Sequence, residues 1–216
     1  MKPFDRAPNL VILLSLTVAC GEGVEAGTGS GGLDQDVDAS VPGSCSALAQ
    51  DCDRRCSGSF ANVECSGRLS GQYDNVLVPA GAHCDLDAAR LTGNLIVMEG
   101  ATANVGPDVF VCGDLQGDQA DRLDLAGLQV CGNLQFEQGG SASMTMAVQV
   151  LKNLQISKSA SVMLEATRVC SDATFVETGD VEVIGDVTVE KNCSASENGA
   201  IDFSGIRILG DNAGCM

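Results

Sequence analysis

The sequence is poor in the side chains that usually bind nucleic acid, zinc or sugar rings. It has no tryptophan, one tyrosine and one histidine, and aromatic residues make up 3% of the chain. Only 12 basic residues stand against 29 acidic ones, which gives a net charge of −17. Such a surface repels phosphate backbones and excludes nucleic acid as a partner. The one histidine, His83, lies in a predicted turn and supports neither a zinc site nor a nucleophilic triad.

Cysteine is plentiful, and the N-terminus predicts export. Eleven cysteines in 216 residues are typical of an oxidising compartment. Lys2 and Arg6 precede an apolar run at 10–16 that is too short to span a bilayer, so residues 1–19 are predicted to be a signal peptide. The segment LTVAC at 16–20 resembles a bacterial lipobox, which implies a lipid on Cys20 and a membrane anchor. Ordinary secretion stays open, because the residues before Cys20 also suit signal peptidase I.

The rest of the chain divides into three segments. Residues 20–44 are rich in Gly, Ser and acidic residues and have no apolar period, so a disordered tether is predicted. Residues 45–72 contain four cysteines in a stretch of little hydrophobic pattern. We expect a disulfide-rich N-terminal cap that covers the end of a solenoid at 73–216.

The sequence repeats itself from residue 73 onward. Coils of 19 or 20 residues fall at 73–91, 92–111, 112–130, 131–150, 151–169, 170–189 and 190–209, with a partial coil at 210–216. The third residue of each is Asn or Asp: Asn75, Asn94, Asp114, Asn133, Asn153, Asp172, Asn192 and Asn212. A fixed period of this kind indicates a solenoid in which equivalent residues lie on top of one another.

Three short apolar stretches recur in each coil and predict the fold class. The stretch after the Asn/Asp residue alternates apolar and polar positions, as a strand with one inward face does. Two further stretches and their corners complete one turn of an all-β, single-stranded parallel β-helix, for which a right-handed coil is expected. Asn and Asp tolerate left-handed backbone angles, so their column is predicted to form a corner and a stacked side-chain ladder.

The coil register predicts three disulfides between neighbouring coils: Cys65–Cys84, Cys112–Cys131 and Cys193–Cys215. Equivalent Cα atoms of adjacent strands are about 4.8 Å apart, which a disulfide tolerates. The alternative for Cys112 and Cys131 is a stacked pair of buried thiols. Cys170 occupies the same coil position but is separated from Cys131 by a coil that carries Leu151, so a buried thiol is predicted there.

The repeat resembles that of a group of exported bacterial proteins with serial V-x-G-N-[LV]-x-[VIL] coils. The segments that carry the resemblance are NVLVPAGAHCDL (75–86), LTGNLIVMEGATANV (91–105), VCGNLQFEQGGSASM (130–144) and DNAGC (211–215). The group is commonly assigned to pectin-lyase-like β-helices, and a looser similarity links it to the polymer-forming bactofilins. The resemblance implies architecture and is nearly silent on activity. In the later coils Lys152, Ser171 and Lys191 replace the glycine before the Asn/Asp column.

These patterns favour a non-enzymatic cell-envelope module that acts as a structural or binding element. An envelope glycan or protein is the expected partner, and no cofactor, metal or catalytic residue is predicted. A polysaccharide-active enzyme is one alternative, for which the candidate cluster is Asp114, Asp118, Asp121, Asp124 and Arg122. The simpler interpretation of that cluster is a solvated loop. Self-assembly of bactofilin type is the other alternative, against which the stapled ends argue.

Overall fold

Parallel strands dominate the part of the chain that the structure, a computed structural model, describes: residues 44–213 and Cys215. Each coil contributes one strand to a nine-stranded sheet and two to a fourteen-stranded sheet, and neighbours in each sheet come from successive coils. The pairing is parallel throughout, for example Leu115 with Leu134 and Leu134 with Leu154. The fold is therefore the parallel β-solenoid that the period of about twenty residues predicts. The handedness of the coil stays a prediction.

The strands form three columns. The first column is β1 (Val63–Glu64), β3 (Val76–Val78), β5 (Leu95–Val97), β8 (Leu115–Asp118), β11 (Leu134–Glu137), β14 (Leu154–Ser157), β17 (Ala173–Val176), β20 (Cys193–Ser196) and β23 (Asn212–Ala213). The middle column is β4 (His83–Leu91), β6 (Thr102–Val105), β9 (Arg122–Ala126), β12 (Ser141–Thr145), β15 (Ser161–Glu165), β18 (Asp180–Ile184) and β21 (Ile201–Asp202). The closing column is β7 (Phe110–Val111), β10 (Gln129–Val130), β13 (Gln149–Val150), β16 (Arg168–Val169), β19 (Val187–Val189) and β22 (Ile206–Ile208), while β2 (Gly67–Tyr73) pairs with β4.

The core is a narrow column of inward side chains from all three strand columns. Residues such as Leu95, Leu115 and Leu134 stack coil on coil and are fully buried. Volumes vary along one inward row, where Gly117 lies beside the buried ring of Phe136. A Cβ added to Gly117 would stand 2.8 Å from Cδ2 of Phe136, so the glycine makes room for the ring. The interior accordingly packs as stacked layers.

The corners differ from the prediction. The left-handed residues that follow the first strand form a column of their own: Gly81, Gly100, Gln119, Gln138, Lys158, Glu177 and Glu197. The Asn and Asp column does lie at a corner, because the chain bends directly before it, between the closing strand of one coil and the first strand of the next. None of these residues has a positive φ, so the predicted left-handed backbone is wrong. Their role is in side-chain hydrogen bonding, described below. Because the left-handed residues share a backbone conformation but no side-chain chemistry, the sequence does not reveal them.

Both ends of the repeat depart from the regular period. Asn62 and Asn75 are 13 residues apart, so the first coil is short. The prediction of Cys65–Cys84 extends the regular register back one coil, over residues 54–72. That register is wrong there, because Gly67, and not Cys65, is aligned with Cys84. The two sulfurs still bond, with a Cα–Cα distance of 5.6 Å. The structure also pairs Cys193 with Cys215, with Cα atoms 6.0 Å apart.

The cysteine-rich segment contains a helix that lies along the side of the solenoid, while β1 and β2 of the same segment pair with β3 and β4 at its N-terminal end. This helix, α1, spans Cys45–Arg55, and the side chain of Ser44 caps it by accepting the N–H of Ala47. Leu48 is buried in one cluster with Phe110 of the closing column, and partly buried Leu151 packs against that cluster. The helix thus covers the outer face of the closing strands.

Three disulfides fasten α1 to three coils. They join Cys45 to Cys170, Cys52 to Cys131 and Cys56 to Cys112, with Cα–Cα distances of 5.5, 5.8 and 5.4 Å. The predicted Cys112–Cys131 bridge is wrong, and so is the prediction of a free Cys170 thiol.

Helix geometry explains this pairing. Positions 45, 52 and 56 lie on one helix face, and a rise of 1.5 Å per residue separates them by about 10.5 and 6 Å. Cys170, Cys131 and Cys112 are each the first residue of a coil, and coils stack about 4.8 Å apart. Cys170 and Cys131 are two coils apart, at about 9.6 Å, and Cys131 and Cys112 are one coil apart, at about 4.8 Å. The spacing of the cysteines along the helix is close enough to their spacing along the stack for each of Cys45, Cys52 and Cys56 to meet one cysteine of the solenoid. Leu48 occupies the interval opposite the coil that carries Leu151.

Candidate functional site

The Asn/Asp column forms a ladder of hydrogen bonds that runs along one edge of the stack. In each step the side-chain Oδ1 accepts the backbone N–H of the equivalent residue in the next coil, for example from Asn94 to Asn75 at 2.8 Å. The ladder begins one coil earlier than predicted, since Asn62 accepts from Asn75. Its last donor is Asp211 in place of Asn212. Asn212 instead accepts the N–H of Cys215 at 2.9 Å and closes the C-terminal turn.

The ladder hydrogen bonds are shortest where glycine precedes the column at positions 93, 113 and 132. The N–H of Asn94, Asp114 and Asn133, which follow Gly93, Gly113 and Gly132, lies 2.7–2.8 Å from its acceptor. An added Cβ at these glycines would collide with the ladder oxygen below. The ladder persists where Lys152, Ser171 and Lys191 replace glycine, but those hydrogen bonds lengthen to 3.1–3.3 Å.

Removing the side-chain oxygen of one ladder residue should destabilise the fold, and more so where that oxygen accepts shorter or more numerous hydrogen bonds. Asp114 accepts both the backbone N–H and the Nδ2 of Asn133, at 2.7 and 3.0 Å. We expect Asp114→Ala to lower the free energy of unfolding by about 1–3 kcal/mol, because a partly buried N–H loses its acceptor. Urea unfolding measures the change. Asp114→Asn, which keeps Oδ1, is the matched control. Asn153→Ala should lower the free energy of unfolding by less than Asp114→Ala, because its hydrogen bond is longer. An Asp114→Ala variant as stable as its parent would contradict the role of the ladder.

The residues of the candidate acidic cluster are divided between the Asn/Asp ladder and the two sheets. Asp114 belongs to the ladder, Asp118 ends a strand of the nine-stranded sheet, and Asp124 lies in the other sheet. Asp124 binds Arg122 through its Oδ2 at 2.6 Å on an exposed surface. Among residues 44–213 and Cys215, no three His, Cys, Asp or Glu side chains converge as they would to hold a metal ion.

His83 lies on the exposed outer face of the middle column. Its Nε2 is 3.1 Å from Oδ1 of Asp85, and Asn104 donates to the same oxygen from 2.8 Å. The hydrogen bond from Asn104, followed by the charge of His83, lowers the pKa of Asp85 below its ordinary value. Because the pKa is lowered, the ionised form of Asp85 is favoured in the fold. Its contribution to stability is lost as the pH falls through the lowered pKa. This is a surface pair, in keeping with the surface role expected for His83.

A shallow polar groove crosses four coils on that same outer face. We call it the serine groove: its floor is Ser141, Ser143 and Ser161, and its volume is about 390 Å³. Arg122 and Asp124 stand at one end and Asp180 and Glu182 at the other. Strand stacking separates the two charged ends by about 14 Å. The sequence did not single out this groove, because serine on an outward strand position is also typical of any solvated sheet face.

Cys20, the predicted site of lipid attachment, lies outside the residues that the structure describes. Within the described part, no helix is long and apolar enough to cross a membrane. The five disulfides are compatible with an oxidising, exported environment.

Comparison with known proteins gives no assignment: no family model, curated protein or solved structure matches this chain.

Proposed function

We propose that this protein is a non-enzymatic exported module of the bacterial cell envelope that uses its solenoid as a rigid binding element. The observation that carries the proposal is the cross-linked architecture, in which α1 covers one face through three disulfides and the serine groove stays open on another. A cross-linked stack holds its surface groups in fixed positions, and preorganised groups bind with less entropic cost.

The proposed ligand of the serine groove is an envelope glycan. Serine hydroxyls both donate and accept hydrogen bonds, as sugar hydroxyls do. Ser141 and Ser161 are aligned in adjacent coils, one strand spacing apart, and can contact neighbouring hydroxyl-bearing units of an extended chain. Met163 adds an apolar surface to the same groove. The groove has no aromatic platform, so affinity in the millimolar to micromolar range is expected.

A glycan array followed by titration of the full chain tests this function. Ser143 is half-buried at the centre of the groove, so Ser143→Arg should fill it and weaken binding at least about tenfold. Ser194→Arg makes the same substitution on the outer face of the nine-stranded sheet and should leave binding unchanged. Binding that survives Ser143→Arg would contradict the assignment of the groove, and degradation of a bound polymer would instead support the polysaccharide-active alternative.

We further propose that lipid on Cys20 anchors the module at the envelope and that residues 21–44 tether it. The lipobox-like segment LTVAC at 16–20 supports the anchor. Fractionation of cells expressing the full chain and its Cys20→Ser variant decides between anchoring and secretion. The variant should leave the membrane fraction, and unchanged partition would exclude the lipid.

A further inference from the structure

We infer that a cleft at the C-terminal end of α1 binds a carboxylate. The cleft encloses about 370 Å³ between the last turn of the helix and the first coils, near the lower limit of small-molecule sites. Arg55 of the helix and Arg90 of β4 both line it, together with Gln72, Asp108 and Phe110. This site lies apart from the serine groove and is independent of the function proposed for that groove.

Two arginines in one cleft are unusual in this chain, where acidic residues outnumber basic ones by 29 to 12. Each guanidinium is stacked on an aromatic ring: Arg55 lies 5.0 Å above Phe110, and Arg90 lies 5.4 Å above Phe60. Stacking of this kind holds a guanidinium in place while its edge stays available for hydrogen bonding. The two side chains are therefore positioned before any ligand arrives.

Neither arginine has an anionic partner among the described residues. The ion pairs there join other residues, and no carboxylate oxygen lies within 4.0 Å of a side-chain nitrogen of Arg55 or Arg90. Nη2 of Arg90 donates to the carbonyl of Ser57 at 3.1 Å, but its buried Nε has no hydrogen-bond partner. Arg168 also has an unpartnered Nε, yet its Nη1 is paired with Glu190 at 2.5 Å. Arg90, unlike Arg168, therefore has no counter-ion among the described residues.

The chemistry of the cleft selects the class of ligand. A guanidinium edge binds a carboxylate through two parallel hydrogen bonds, and a second cation beside it strengthens the attraction. Asp108 reduces the formal charge of the cleft to +1, which suits a monoanion. A polyanion is disfavoured, because the net charge of the whole chain is −17. A sugar acid and a peptide C-terminus both present the carboxylate required.

Titration of the full chain, followed by NMR chemical shifts, tests the cleft. The probes are glucuronate, an N-acetylated dipeptide with a free C-terminus, and their uncharged counterparts, the methyl ester and the amide. We expect at least one acid to bind with millimolar or better affinity and its uncharged counterpart not to bind. Binding of glucuronate alone identifies a sugar acid, and binding of the dipeptide alone identifies a peptide C-terminus; either supports the inference. Absence of binding by both acids at about 20 mM would overturn it.

Matched arginine variants locate the bound carboxylate. Arg55→Gln should weaken binding about tenfold or more, since a charge-assisted bond is lost. Arg54→Gln removes an exposed neighbouring arginine that pairs with Asp51, and should change affinity less than about twofold. Arg55 is exposed, so the variant should keep the melting temperature of the parent. Equal affinity in the Arg55→Gln and Arg54→Gln variants would overturn the inference even if an acid binds.

Discussion

Replacing the six cysteines that fasten α1 with serine should lower the melting temperature of the full chain by about 10–30 °C. The bridges to be removed are Cys45–Cys170, Cys52–Cys131 and Cys56–Cys112, with sequence separations of 125, 79 and 56. A disulfide that closes a long loop typically stabilises by about 2–5 kcal/mol. The loops are nested, so we expect a total below the sum, about 5–10 kcal/mol. For a domain of this size each kcal/mol shifts the midpoint by about 2–4 °C.

The physical consequence of losing the bridges is the release of the helix. α1 is 11 residues long and buries only Leu48 and Cys52, which is too little to hold a helix of this length by packing alone. Its departure would expose Phe110 and the outer face of the closing strands. Calorimetry measures the midpoint, and a fluorescent dye that binds apolar surface reports the exposure.

The C-terminal bridge is the matched control. Cys193→Ser with Cys215→Ser removes one disulfide with a separation of 22 and should lower the midpoint by about 6–12 °C, without exposing the helix-covered face. A six-serine variant that melts within about 3 °C of the parent would show that the helix is not held by these bridges.

The second large effect concerns Gly117 and Phe136, which are stacked neighbours in the core. Gly117→Val should lower the free energy of unfolding by about 1–3 kcal/mol through overpacking against the Phe136 ring. Phe136→Val leaves a cavity and should cost about 2–4 kcal/mol. The double variant should cost at least about 1 kcal/mol less than the sum, because valine at 117 fills part of the space that the ring vacates. Urea unfolding of the four proteins gives the coupling energy.

Phe175 supplies the control for that cycle. It is also fully buried in the same inward row, but two further coils separate it from the coil of Gly117. Gly117→Val and Phe175→Val should therefore be additive within about 0.5 kcal/mol. Additive behaviour of the Gly117 and Phe136 pair would mean that residues 19 apart do not lie against each other.

The sequence predicts the stack well because the repeat fixes inter-coil contacts. One column of Asn and Asp suffices to set the register, since Oδ1 of Asn75, Asn94 and Asp114 each reaches one coil further along the chain. The prediction fails where the coil length changes. The short step from Asn62 to Asn75 shifts the alignment of Cys65, and the last ladder donor moves to Asp211.

A coil register does not predict the position of α1, because it describes only contacts between coils. Equivalent cysteines at 112 and 131 are close enough to bond, so the coil register favours that pairing. The contrary signal is the spacing of cysteines 45, 52 and 56, which places them on one helix face. Neither the serine groove nor the cleft at the C-terminal end of α1 has a comparable signal in the sequence, because each depends on which outward side chains become neighbours in the folded stack.

Disulfide mapping of the purified, unreduced protein tests the central claim most directly. Cleavage before Asp51 separates Cys45 from Cys52. Cleavage after Arg55 separates Cys52 from Cys56, and cleavage after Glu64 separates Cys56 from Cys65. Mass spectrometry of the linked peptides should then find Cys45 with Cys170, Cys52 with Cys131 and Cys56 with Cys112. A peptide that joins Cys112 to Cys131 would contradict a helix fastened along the side of the solenoid.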